Sequence, residues 1–230
     1  PWILIPSLVA SAVGTVAFLV LSQEYFGSLY TFPDYAPRVT DLAWAVPLGL
    51  LGALAGAIFI LAIRTLRRLL APLRSRLIVR GLLGGLILGI AGALLPLVLF
   101  SGEQQTHVLI QDAAAIGVIQ LIVMALVKLL ITALLLVTGW KGGYIFPTMF
   151  AGVALGMAAN LVFPSIPAPV AVAATMGGAM VATMKAPIFS ALFVALMVQS
   201  STGPVIAIAV VVGLLATARL SLVQAPSPKG

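Results

Sequence analysis

Lys141-Gly142-Gly143-Tyr144-Ile145-Phe146-Pro147 interrupts two long apolar stretches in a chain of which only 7% is charged. Inside a bilayer, backbone that leaves the helix finds no lipid partner for its polar groups, so it is tolerated only where protein or a water-filled cavity surrounds it. These seven residues therefore read as a site rather than a turn. Pro147 suits the first helical position, where a missing N–H costs nothing, and the glycines allow a sharp bend before it. The spacing predicts a helix N-terminus whose free N–H groups, at Tyr144, Ile145 and Phe146, face inward.

Composition names the solvent around this stretch. Hydrophobic residues make up 62% of 230 positions and mean hydropathy is +1.24, against an apolar share of roughly 45–50% in soluble domains. That is the composition of an integral membrane protein. Its apolar runs exceed the ~20 residues that cross a bilayer as a helix, and they lack the alternating polarity of ~10-residue barrel strands. The expected fold class is all-α, a multi-span helical bundle with short, tilted and re-entrant half-helices. Cysteine is absent, which removes disulfide and thiolate chemistry. Much of the basic excess behind the net charge of +7 sits in Arg64, Arg67, Arg68, Arg74, Arg76 and Arg80. With no aromatics interleaved, the loop at residues 64–80 reads as cytoplasmic under the positive-inside rule, its partner the lipid bilayer and not nucleic acid.

Spans are expected at residues 2–21, 42–66, 77–100, 118–137, 147–163, 170–184, 188–199 and 204–220. Together they form a membrane domain over residues 1–220, followed by a flexible tail at 221–230. The acidic stretch 22–41, with Glu24, Asp34 and Asp41, and the segment 101–112, with Glu103, His107 and Asp112, are expected as external loops. Several spans are too short to cross a ~30 Å hydrocarbon core. Short segments interrupted by Gly and Pro are the signature of half-helices aimed at a central site.

A bare helix N-terminus gathers unpaired donors and the positive end of the helix dipole, which together favour an anion. Amides suit an anion that must also leave, because a fixed full charge in low dielectric holds it too tightly. Lys128, near the middle of a span, admits two readings: a charge facing a pathway, or a lysine that snorkels or caps a helix C-terminal carbonyl. Lys141 either raises the potential beside the break or is simply solvated. His107, Glu103 and Asp112 lack the spacing of a metal site, and no nucleophile has a base spaced to serve it. Neither catalytic nor metal residues are expected. Gly49, Gly52 and Gly56, and likewise Gly81, Gly85 and Gly89, mark faces where helices approach closely.

The wider pattern resembles the second half of the CLC chloride channel and transporter family. Thr138-Gly139-Trp140-Lys141-Gly142-Gly143-Tyr144-Ile145-Phe146-Pro147 is similar to that family's small-Gly-x-x-Gly-Gly-x-Phe-x-Pro segment. Met176-Gly177-Gly178-Ala179-Met180-Val181-Ala182-Thr183-Met184-Lys185-Ala186-Pro187 is similar to its stretch ending in a basic residue, Ala and Pro. The resemblance implies that the amides of Tyr144 and Ile145 contact a central anion, with Gly143 and Pro147 shaping the turn and Phe146 beside them. It also implies a basic residue at Lys128 and a homodimer built on the first helix and the last two. There are departures: Ile145 stands where the family places Phe, Leu196-Met197-Val198 near its acidic-x-Thr pattern, and no Tyr follows Arg219. The family's first half, with its gating glutamate, is not in this sequence, so the missing N-terminal half of the subunit is an expected partner.

The expected function is part of an anion channel or anion/proton antiporter, its ligand chloride or a similar small anion, in a bacterial inner membrane. No cofactor and no enzymatic activity are expected. A non-transporting scaffold, or a half-length subunit that assembles with a partner half, is the alternative.

Overall fold

The computed structural model describes residues 4–22, 30, 32, 35–36, 38–198 and 201–220. The expected tail at 221–230 and the charges of Glu24 and Asp34 lie outside the described residues. The described chain is helical, with no strand among those residues. Its helices are α1 (Leu4–Ser22), α2 (Val39–Leu69), α3 (Leu77–Leu94), α4 (Gln105–Gln111), α5 (Ala113–Ile116), α6 (Val118–Thr138), α7 (Ile145–Val162), α8 (Ala168–Met184), α9 (Pro187–Val198) and α10 (Gly203–Ala216). Helices α2, α3, α6 and α7 are long and apolar enough to cross a membrane. By contrast α8, α9 and α10 have 17, 12 and 14 residues, or about 26, 18 and 21 Å at ~1.5 Å per residue, short of a ~30 Å core.

Helix α8 is the axis of the bundle. Every residue from Pro169 to Thr183 is buried, which is possible because the helix is apolar all round and built from small side chains. It lies antiparallel to α7, since Gly152 meets Met176 while Gly156 meets Val172. On its other side it crosses α2 and α10 with backbone against backbone. A Cβ on Gly52 would fall 1.9 Å from the Thr175 carbonyl oxygen, and one on Gly178 would fall 2.1 Å from that of Gly49. A Cβ on Gly213 would fall 3.0 Å from the Gly178 Cα. Lipid supplies no hydrophobic force between helices, so such close approach provides the dispersion contact that holds them.

Local chemistry sets several boundaries. Asp41, in the first turn of α2 and buried, accepts the Arg38 amide at 3.0 Å and the Tyr35 hydroxyl. A carboxylate there also complements the positive helix end. Tyr35 keeps its proton beyond the ordinary tyrosine range, pushed up to about 12 by burial and by bonding to Asp41. At the other extreme α6 ends on Gly139, whose φ of +101° is the left-handed cap that favours glycine. The Trp140 amide turns back to the Leu135 carbonyl at 3.0 Å.

Four local expectations change. Helix α7 begins at Ile145 and puts Pro147 third rather than first. Proline is harmless anywhere in the first turn, because none of those amides has an intrahelical acceptor. The bend is made at Gly139, while neither Gly142 nor Gly143 takes a positive φ. Residues 101–112 are not an open loop: Thr106 and Leu109 are buried, and α4 packs on α7. On α3 the close approaches fall at Gly84, against Thr138, and at Gly92, against Leu99, while Gly81 and Gly89 face open space.

Gly178→Val is expected to abolish correct assembly, because added bulk must displace the α2 backbone, a cost above the ~1–3 kcal/mol of ordinary overpacking. Gly89→Ala is expected to behave as the parent. Size-exclusion profiles and thermal unfolding of the full-length protein in detergent check both outcomes.

Candidate functional site

The break between α6 and α7 opens on a cavity of about 290 Å³. One wall is the break itself, with Trp140, Lys141, Gly142 and Gly143, then Phe146 and Pro147 of α7. The facing wall is Phe100 and Ser101, after α3, with Thr132, Leu135 and Leu136 of α6. Thr132 stands six residues before the end of α6, about 9 Å along the helix axis. The cavity therefore reaches into the span and is not confined to its rim.

Helix α7 presents its first turn at this cavity in a fixed orientation. The Tyr144 ring rests against Phe59 of α2 at 6.0 Å, and the Phe146 ring meets Phe193 of α9 edge-on at 6.5 Å. Thr148 closes the turn, its amide and hydroxyl both donating to the Tyr144 carbonyl, at 3.0 and 2.6 Å. No described residue accepts from the amides of Gly143, Tyr144, Ile145 or Phe146. Pro147 has no N–H to add. Three consecutive donors, Tyr144 to Phe146, thus stand at the positive end of the helix dipole; of these residues Phe146 lines the cavity, while Tyr144 and Ile145 are not part of its lining. Other helices, including α3 and α10, also lack side-chain N-caps; among the described N-termini, α7 joins such donors to this cavity and to Ser101. The Ser101 hydroxyl accepts the Glu103 amide at 3.4 Å, and its own proton has no acceptor among the described residues.

Lys128 occupies the eleventh of 21 positions in α6 and is 1% exposed. Its ammonium donates to the carbonyls of Val98 at 2.8 Å, Leu99 at 3.1 Å and Phe100 at 2.7 Å. It also lies 5.2 Å from the centre of the Phe150 ring on α7. All three ammonium protons are thus matched by carbonyls freed where the chain unwinds after the 3₁₀ turn Pro96–Val98, which is how a buried charge becomes tolerable. Lys128 holds the Phe100–Ser101 wall of the cavity in place. Lys141 is exposed and lines the same cavity. Among the described residues no group of His, Asp and Glu is placed to hold a metal.

The comparisons with known proteins match this architecture. Residues 1–218 match the family described as voltage gated chloride channel. The chain belongs to that family. Relatives include the "Putative ion-transport protein YfeO" of Salmonella newport (strain SL254) and of Salmonella typhimurium (strain LT2), each 31% identical over 174 residues. That alignment covers 74% of this chain and 41% of each relative. The protein of the same name from Salmonella schwarzengrund is 29% identical over 172 residues. The chain thus spans about two fifths of the length of these relatives.

Reading along the sequence located the break with Lys141, Gly143, Tyr144, Ile145, Phe146 and Pro147, and singled out Lys128. It missed Phe100, Ser101 and Thr132, because a serine at the end of one span and a threonine within another carry no local signal of meeting. Lys128→Met is expected to destabilise the fold by about 2 kcal/mol, since three carbonyls lose a charged donor. Thermal unfolding of the full-length protein would register it as a lower midpoint.

Proposed function

We propose that the protein moves a small anion such as chloride across a bacterial inner membrane, as a channel or in exchange for protons. In this reading the chain is the second half of the membrane domain of a CLC-type subunit that works as a homodimer. The anion sits near the membrane midplane on the amides of Tyr144, Ile145 and Phe146, with Gly143 and Pro147 shaping the cradle. The observation that carries the reading is the first turn of α7, pinned by two aromatic contacts, whose amides have no acceptor and whose Phe146 and Pro147 line the cavity beside Gly143. Membership of the chloride-channel family supports the choice of ligand.

The chemistry favours transport over storage. Neutral amides replace part of the anion's hydration while leaving it free to depart, whereas a guanidinium at the same place in low dielectric would trap it. Lys128 and Lys141 add positive potential without direct ligation; Lys128 spends its donors on carbonyls. The arginine-rich segment at residues 64–80, the end of α2 through the start of α3, is on the cytoplasmic side. The work is binding and release, with no covalent step and no cofactor.

A Cβ on Gly143 would meet no atom within 4 Å, and its φ is not positive, so the fold accommodates a larger residue there. Gly143→Leu in the full-length protein is expected to fold normally and to cut chloride efflux from reconstituted liposomes about tenfold or more by filling the cradle. Parent-like efflux from a folded variant would refute the proposed site. Chloride should also raise the unfolding temperature of the parent, and raise it less in the variant.

A further inference from the structure

A second cavity, of about 410 Å³, lies at the arginine-rich end of the bundle, between the end of α2, the start of α3 and the end of α6. Its lining includes Arg67, Arg74 and Arg80. The positive-inside rule accounts for the number of basic residues in this loop, but a count requires neither convergence nor arginine. Here arginines from the end of α2, the connection that follows it and the first turn of α3 line one space, and all six basic residues between positions 64 and 80 are Arg rather than Lys. Arginine is the residue suited to planar, forked recognition of phosphate oxygens.

The charge is not cancelled locally. No carboxylate lines the cavity, and the sequence holds none between Asp41 and Glu103 or after Asp112. Helices α2 and α6 end here, each contributing roughly half a negative charge through its dipole. Three guanidiniums and the positive start of α3 against two negative helix ends leave more than about two positive charges. Arg80 donates one amino group to the Val137 carbonyl, which anchors it, while its buried Nε has no acceptor. The guanidiniums of Arg67 and Arg74 have no hydrogen-bond partner among the described residues, although the Arg74 amide donates to the Ala71 carbonyl at 3.1 Å.

Apolar surface flanks the same place. Leu69 is 68% exposed, Leu77 70% and Ile78 80%, as expected for side chains that meet acyl tails beside a headgroup. Basic pockets between transmembrane helices on the cytoplasmic side take anionic lipid headgroups. We propose that the cavity lined by Arg67, Arg74 and Arg80 binds a phosphate oxyanion, supplied by the headgroup of an anionic phospholipid. The proposal is independent of the transport reading.

Native mass spectrometry of the full-length protein, released from detergent with added cardiolipin, phosphatidylglycerol or phosphatidylcholine, tests it. The parent is expected to retain cardiolipin or phosphatidylglycerol in preference to phosphatidylcholine. The double variant R67Q/R74Q should hold the anionic lipid about tenfold more weakly. Neither guanidinium bonds to the rest of the fold, so this variant tests the site without removing the Arg80 anchor. R68Q/R76Q removes the same charge from the same loop outside the cavity and should retain lipid as the parent does. Equal loss in both double variants, or no preference for anionic lipid in the parent, would overturn the proposal. Millimolar inorganic phosphate separates the sources. Lipid retention that it leaves unchanged assigns the site to the headgroup, and competition by phosphate that R67Q/R74Q abolishes supports the same chemistry from solution.

Discussion

The need to satisfy backbone polar groups away from water governs this structure, because its helices are short and their ends fall among other helices. Carbonyl ends are met by side-chain donors from elsewhere in the fold. Lys128 serves the carbonyls of Val98, Leu99 and Phe100, and Arg80 that of Val137. Asn160 serves Ile166 beyond the end of α7, and Lys185 serves Thr217 at the end of α10. These donors have a shared logic: cations and N–H groups near helix C-termini satisfy freed acceptors and complement the negative dipole end. The amide end of α7 is treated differently. The chain has five acidic residues in all, none between Asp112 and its last residue, so no carboxylate from α6 onward competes for those donors.

Packing places that bare end. Glycines on α2, α8 and α10 let three backbones touch around Gly49, Gly52, Gly178 and Gly213, and this contact fixes α8 as the axis. Helix α7 then lies antiparallel along α8, which sets its height in the bundle. Tyr144 and Phe146 find their rings held by Phe59 on α2 and Phe193 on α9. A helix start held from two sides cannot rotate without breaking aromatic contacts worth about 1 kcal/mol each. Lys128 completes the enclosure from α6 by holding the opposite wall, so a residue that touches no ligand shapes the space one would occupy.

Much of the fold was legible without coordinates. The expected spans at 42–66, 118–137, 147–163 and 170–184 correspond to α2, α6, α7 and α8, because apolar length reports directly on the solvent. The glycine face of α2 was legible for a similar reason: small residues at helical spacing have few other uses in a membrane. On α3 the same rule chose Gly81, Gly85 and Gly89; Gly85 meets the Trp140 ring, but Gly81 and Gly89 face open space while the closest approaches fall at Gly84 and Gly92. A row of small residues gives the periodicity but not the azimuth at which a neighbour arrives. The segment 101–112 misled because Glu103, His107 and Asp112 look solvated in sequence, yet Thr106 and Leu109 beside them are buried.

The sequence by itself determined the solvent, the helical class and the position of the break, because each follows from local composition and from the chemistry of glycine and proline. It left Lys128 open between facing a pathway and capping carbonyls. Only the tertiary structure decided which carbonyls meet its ammonium, since they stand 28 to 30 residues away. Likewise only the fold brought Ser101 and Thr132 to the break and gathered Arg67, Arg74 and Arg80 around one cavity. A hydrogen bond or a charge cluster depends on distance in space, and apolar helices in lipid carry that information only in how they pack.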